Sequence, residues 1–167
     1  DRRRRGFPSG RKHTDVAVVL MLAGRLPVIL CTGGVVFYDS AVPVPRLLMG
    51  LVLYGALSLS FFGAVHWGWA LEAERVILTV DAERVDRLRL LLGVLPLLAG
   101  WLAAFVAVVS SPLSGVVILA VAFALVALCE RTAWRRGWLP PGYTGVRWIV
   151  TAVAECCLLT VLLMRGL

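Results

Sequence analysis

Residues 47–70 form a run of 24 positions without one Asp, Glu, Lys or Arg. At 1.5 Å of rise per residue, a helix of that length reaches about 36 Å, more than the roughly 30 Å hydrocarbon core of a bilayer. A soluble domain of ordinary size has no interior able to cover such a helix on every side. Four further apolar runs, at about 15–38, 90–109, 113–129 and 147–164, have the same character, although the fourth is near the lower limit for a span. Together with 60% hydrophobic residues against 16% charged, they predict an all-α integral membrane bundle of five transmembrane helices. Residues 1–14 read as a basic N-terminal tail and 15–167 as the transmembrane domain, with no soluble domain or internal repeat.

The connecting stretches are unequal in charge. The N-terminus, the loops after the second and fourth runs and Arg147 at the start of the fifth carry fourteen of the 17 Lys and Arg, whereas the opposite side has only Arg46 and Arg165. The positive-inside rule then puts the N-terminus on the cytosolic side of a bacterial inner membrane or the matrix side of a mitochondrial one. Trp67, Trp69, Trp134, Trp138 and Trp148 gather near the same boundary, where an indole can bury its ring and keep its N–H wet. The start at Asp1 without a methionine leads us to expect a leader removed or left out. Arg2 to Arg5 read first as a solvated positive-inside anchor, otherwise as the remainder of a transit sequence or an anionic-lipid contact; the mitochondrial inner membrane is favoured over a bacterial one. The basic face is expected to contact anionic lipids. Since the cations sit before and between apolar runs, nucleic acid is not an expected partner.

Three blocks, in order, carry a family likeness: residues 54–70 with His66-Trp67-Gly68, then Leu95-Pro96 to Trp101, then Leu139-Pro140-Pro141-Gly142-Tyr143 followed by Arg147. In these the chain resembles the transmembrane-protein-69-like family, small multi-pass membrane proteins of bacteria and mitochondria. The resemblance covers nearly the whole chain and implies the five-span architecture, but no catalytic residue or cofactor to carry over. Arg25 and Glu155 depart from the apolar residues usual in that family.

Those two charges are the first candidates for a site. Arg25 lies about ten residues into the first span and Glu155 about eight into the fifth, both counted from the basic side, so both are roughly 12–15 Å deep. Because a lone charge there costs at least a few kcal/mol, an intramembrane pair between Arg25 and Glu155 is expected; pairing with a partner subunit, or snorkelling of Arg25, stays open. His66 could titrate or bind a quinone or metal, or serve as an interfacial hydrogen-bonding histidine. Haem ligation with His13 is sterically conceivable. Two small-residue stripes, Ala56, Ser60, Ala64 and Gly68 in the second span and Ala99, Ala103 and Ala107 in the third, read as helix-packing faces. Cys31, Cys129, Cys156 and Cys157 lack metal-ligand spacing and read as small apolar residues.

Neither a nucleophile–base set, nor paired carboxylates, nor a phosphate loop is present, so no enzyme, cofactor or metal is expected. The expected function is a non-catalytic inner-membrane accessory or scaffold subunit of a larger assembly, with protein partners in a membrane complex and a possible place beside the respiratory chain. The alternatives are a small transporter or channel with a polar path at Arg25, Glu155 and His66, and a quinone- or haem-binding redox protein.

Overall fold

A computed structural model describes residues 10–39, 43–72, 82–136 and 143–166. They form six helices: α1 Gly10–Ala23, α2 Leu26–Phe37, α3 Pro43–Glu72, α4 Ala82–Val109, α5 Pro112–Arg135 and α6 Tyr143–Arg165. Among the described residues there is no strand, and five segments are long and apolar enough to cross a membrane: Val18–Phe37, Pro43–Gly68, Leu90–Val109, Pro112–Arg135 and Gly145–Arg165.

The first span is two helices, not one. Pro27 occupies the first turn of α2, where its missing N–H costs nothing, but its ring excludes the carbonyl four residues back from ordinary helical bonding. The chain responds with a tight turn, in which Arg25 N–H donates to the Leu22 carbonyl at 2.9 Å, before α2 resumes. Arg25 thus sits at a break in the helix.

The other boundaries differ from the apolar runs in instructive ways. α3 starts at Pro43, because Pro43 and Pro45 both fit in a first turn that needs no N–H. α4 starts at Ala82, inside the charged stretch. α5 continues past Cys129 to Arg135, so Glu130 lies on a helix and not at the start of a loop. The connection between α4 and α5 is very short, as expected: the Ser111 side chain accepts the Ser114 N–H at 3.2 Å and Pro112 opens the helix.

α3 is the central helix, packed against α2, α4 and α5, while α6 closes against α5 and α2. Its seam with α4 is very close: a Cβ on Gly63 would lie 2.5 Å from the Gly93 carbonyl oxygen, and one on Gly100 would lie 2.9 Å from that of Ala56. Only glycine lets the backbones meet there. The small-residue stripe of α3 is only partly on this seam. Ala56 is buried, but Ala64 and Gly68 are exposed, and nothing lies within 4 Å of a Cβ on Gly68. A strict four-residue step drifts about 40° per step around an α-helix, so the stripe leaves the contact after two steps. Ser60 returns its hydroxyl to the Ala56 carbonyl at 2.8 Å. In α4, Ala103 and Ala107 are buried against Gly115 of α5, and Ala99 is half-buried.

The surface is inverted relative to a soluble protein. Leu30, Leu57, Phe61, Leu91, Trp101, Phe105, Leu125 and Leu163 are all exposed around the bundle. Such a belt would aggregate in water and is ordinary in lipid.

Candidate functional site

α3, α5 and α6 bring polar side chains together inside the bundle toward the basic end. His66, Glu130 and Arg147 are 2%, 4% and 2% exposed, respectively. Glu130 lies between the other two: its Oε1 accepts from Arg147 Nε at 3.1 Å and stands 3.4 Å from His66 Nε2. Arg147 Nη1 donates to Thr151 Oγ1 at 2.9 Å, and the Thr151 hydroxyl donates to the Arg147 carbonyl at 2.9 Å. The guanidinium also lies over the Phe62 ring, 3.9 Å from its centroid. A buried carboxylate therefore has an ionic partner, and the cation has a carboxylate, a hydroxyl and an aromatic face.

Arg25 reaches this cluster from the break in the first span. Its guanidinium carbon is 5.0 Å from the same Phe62 centroid, and the residue is 3% exposed. Nearby, the Tyr54 hydroxyl donates to the Gly24 carbonyl at 2.6 Å and holds the break against α3. Arg25 does not form the expected pair with Glu155. No ion pair joins them among the described residues, and Glu155 Oε1 is buried without a hydrogen-bond partner. Equal depth did not imply equal direction: Arg25 faces a cleft between the first span and α3, whereas Glu155 lines a small cleft with Glu130, Trp148 and Thr151 between α5 and α6.

The consecutive residues of the His-Trp-Gly motif do different jobs. His66 points into the cluster, and Trp67 swings across Gly93 of α4, where a Cβ would meet the indole Cδ1 at 2.1 Å. The Trp67 Nε1–H donates to the Leu90 carbonyl at 3.1 Å. Gly68 faces outward. The side chains of His13, Trp69 and Trp138 lie outside the described residues, so the His66–His13 idea does too. Among the described residues, no three His, Cys, Asp or Glu side chains come together as a metal site, and the four cysteines are free thiols.

A lateral cleft of about 530 Å³ ends on this cluster. Pro96 and Ala99 of α4 and Val121, Leu125 and Val126 of α5 make apolar walls, and His66 and Glu130 form the polar end. Sequence reasoning picked out His66 but missed Glu130, Thr151 and Phe62 as members of one site. Arg147 was noted only as the residue following the Pro-Pro-Gly block. One available signal was the helical continuation through Ala133 and Trp134, which puts Glu130 and Ala133 on one buried face.

Fold and site together define a polytopic α-helical membrane protein with an ionic cluster enclosed among its helices and lipid-side clefts leading to it. The chain belongs to the family described as "Protein of unknown function (DUF3429)", whose model matches residues 14–163. No curated protein and no solved structure matches it.

Proposed function

We propose that the chain is a non-catalytic multi-pass inner-membrane protein that holds a lipid-soluble molecule with a quinone-type head in the α4–α5 cleft, acting as an accessory subunit of a larger membrane assembly. The observation that carries this reading is the cleft itself: an apolar trough of about 530 Å³ ending on one imidazole and one carboxylate. Such a trough suits an apolar tail, and the paired polar groups suit a head with carbonyl or hydroxyl oxygens. Glu130 is balanced by Arg147, so a neutral head fits without adding or stranding charge.

The likeness in His66-Trp67-Gly68 supports a place in the transmembrane-protein-69-like branch, and the charge asymmetry supports a basic end facing the cytosol or matrix. We favour the mitochondrial inner membrane. A transport role draws less support, because the bundle beyond the cluster, away from the basic end, is filled by Val28, Val35, Leu51, Val52, Leu119 and Leu158.

The test is photolabelling of the reconstituted protein with a short-tailed azido-benzoquinone, followed by peptide mapping. Saturable labelling within 92–99 or 117–130, reduced at least tenfold by Val121→Trp, is the expected result. Labelling that does not saturate, or that ignores Val121→Trp, overturns the reading.

A further inference from the structure

The α4–α5 cleft leaves one buried cation unexplained. Glu130 already serves Arg147 and His66, and no described acidic side chain contacts Arg25. Arg25 Nη1 is buried without a hydrogen-bond partner among the described residues, and so is Arg147 Nη2. Both guanidiniums lie over Phe62, which puts them no more than roughly 9 Å apart, close enough to repel appreciably in a poorly screened interior. Among the described residues the cluster has two arginines and one paired carboxylate; Glu155 lies in the separate α5–α6 cleft, and Arg25 has no ion-pair partner.

Arg25 also lines a second cleft, of about 480 Å³, between the break in the first span and α3. Leu20, Met21, Leu57 and Phe61 make its apolar walls, and Tyr54 and Ser58 add hydroxyls. Leu20, Leu57 and Phe61 are also exposed on the outside of the bundle, so the cleft adjoins the surrounding acyl chains. Arg25 thus borders an apolar, lipid-side cleft with its unpartnered Nη1 buried just behind the cleft wall, and such a guanidinium has a definite chemical complement.

We propose that this cleft binds an anionic acyl amphiphile from the bilayer, with its carboxylate or phosphate on Arg25 and its chain along Leu20, Leu57 and Phe61. The ligand supplies the counter-charge that no described side chain brings to Arg25. A guanidinium offers planar, charge-assisted donors to either oxyanion, which is why the head chemistry is shared between a fatty acid and an anionic phospholipid. This site is separate from the α4–α5 cleft and does not rest on the quinone reading.

The experiment is electron paramagnetic resonance of the full chain in nanodiscs at high salt, so that exposed basic residues are screened. Spin-labelled stearate at alkaline pH, spin-labelled phosphatidic acid and spin-labelled phosphatidylcholine are compared as probes. The expected result is a motionally restricted fraction at least threefold larger for one anionic probe than for phosphatidylcholine. Arg25→Gln and the cleft-filling Leu57→Trp bring it down to the phosphatidylcholine level, and Arg25→Lys retains part of it. Preference for stearate identifies a free carboxylate, and preference for phosphatidic acid a phospholipid headgroup. Equal restriction of all three probes overturns the proposal, as does a preference that survives Leu57→Trp, a variant that leaves Arg25 in place. Recovery of a tightly bound second protein whose carboxylate crosslinks at position 25 overturns it too.

Discussion

Replacing Glu130 with alanine removes the carboxylate that receives Arg147 Nε. Arg147 is 2% exposed and cannot reach water without moving α6, and its Nη2 already lacks a partner, so Thr151 remains its one side-chain acceptor among the described residues. Breaking a buried ion pair from one side typically costs about 3–5 kcal/mol, because the stranded charge stays desolvated. Unmasked repulsion from Arg25, roughly 9 Å away at most, is worth about 2 kcal/mol at an effective dielectric of 20 and lies within that range. We therefore expect Glu130→Ala to lower the unfolding free energy by about 3–5 kcal/mol, and Glu130→Gln, which keeps an acceptor, by about 1.5–3 kcal/mol. The assay is reversible unfolding in bicelles, run as a double-mutant cycle with Arg147→Met. In the Glu130→Ala background, Arg147→Met should recover at least about 2 kcal/mol by removing the stranded cation. If Arg147→Met costs the same with and without Glu130, the two are not coupled and the account of the cluster fails.

Three other perturbations have distinct outcomes. Gly63→Ala places a Cβ 2.5 Å from the Gly93 carbonyl and should cost about 1–3 kcal/mol in the same unfolding assay, while Gly68→Ala, with open space around it, should be neutral or mildly stabilising. Trp67→Phe loses the bond to the Leu90 carbonyl and should destabilise by roughly 1 kcal/mol, with faster hydrogen exchange at the start of the third span. Arg165 donates to the carbonyls of Val35 and Tyr38 at the end of α2, so Arg165→Gln should speed exchange locally around 35–38 and reduce stability by about 1 kcal/mol; unchanged exchange there would show the cap to be inert.

The five spans were legible because each is a long apolar run, and length against bilayer thickness leaves little choice. Helix ends were harder, since α5 runs on through Glu130 and Thr132, residues that look like loop when hydropathy alone is followed. The site suffered from the same cause. Glu130 and Arg147 border apolar runs, where hydropathy alone suggests solvated ends, yet each reaches the interior from its helix and neutralises the other. Arg25 and Glu155 stood out because they interrupt apolar runs, but matching their depths ignored the direction each helix gives its side chain. A linear sequence carries depth well through residue counts. It carries the relative rotation of two helices only through packing partners such as Gly63 and Gly93, which one sequence does not pair.

The break at Gly24–Arg25 bears on how the first span sits in the bilayer. Two side-chain contacts hold that break from α3: the Phe62 ring over Arg25 and the Tyr54 hydroxyl on the Gly24 carbonyl. Without them, a central arginine costs an isolated membrane helix about 2.5–3.5 kcal/mol. The first span and α3 therefore depend on each other: the arginine at the break is shielded only where the Phe62 ring and the Tyr54 hydroxyl stand beside it.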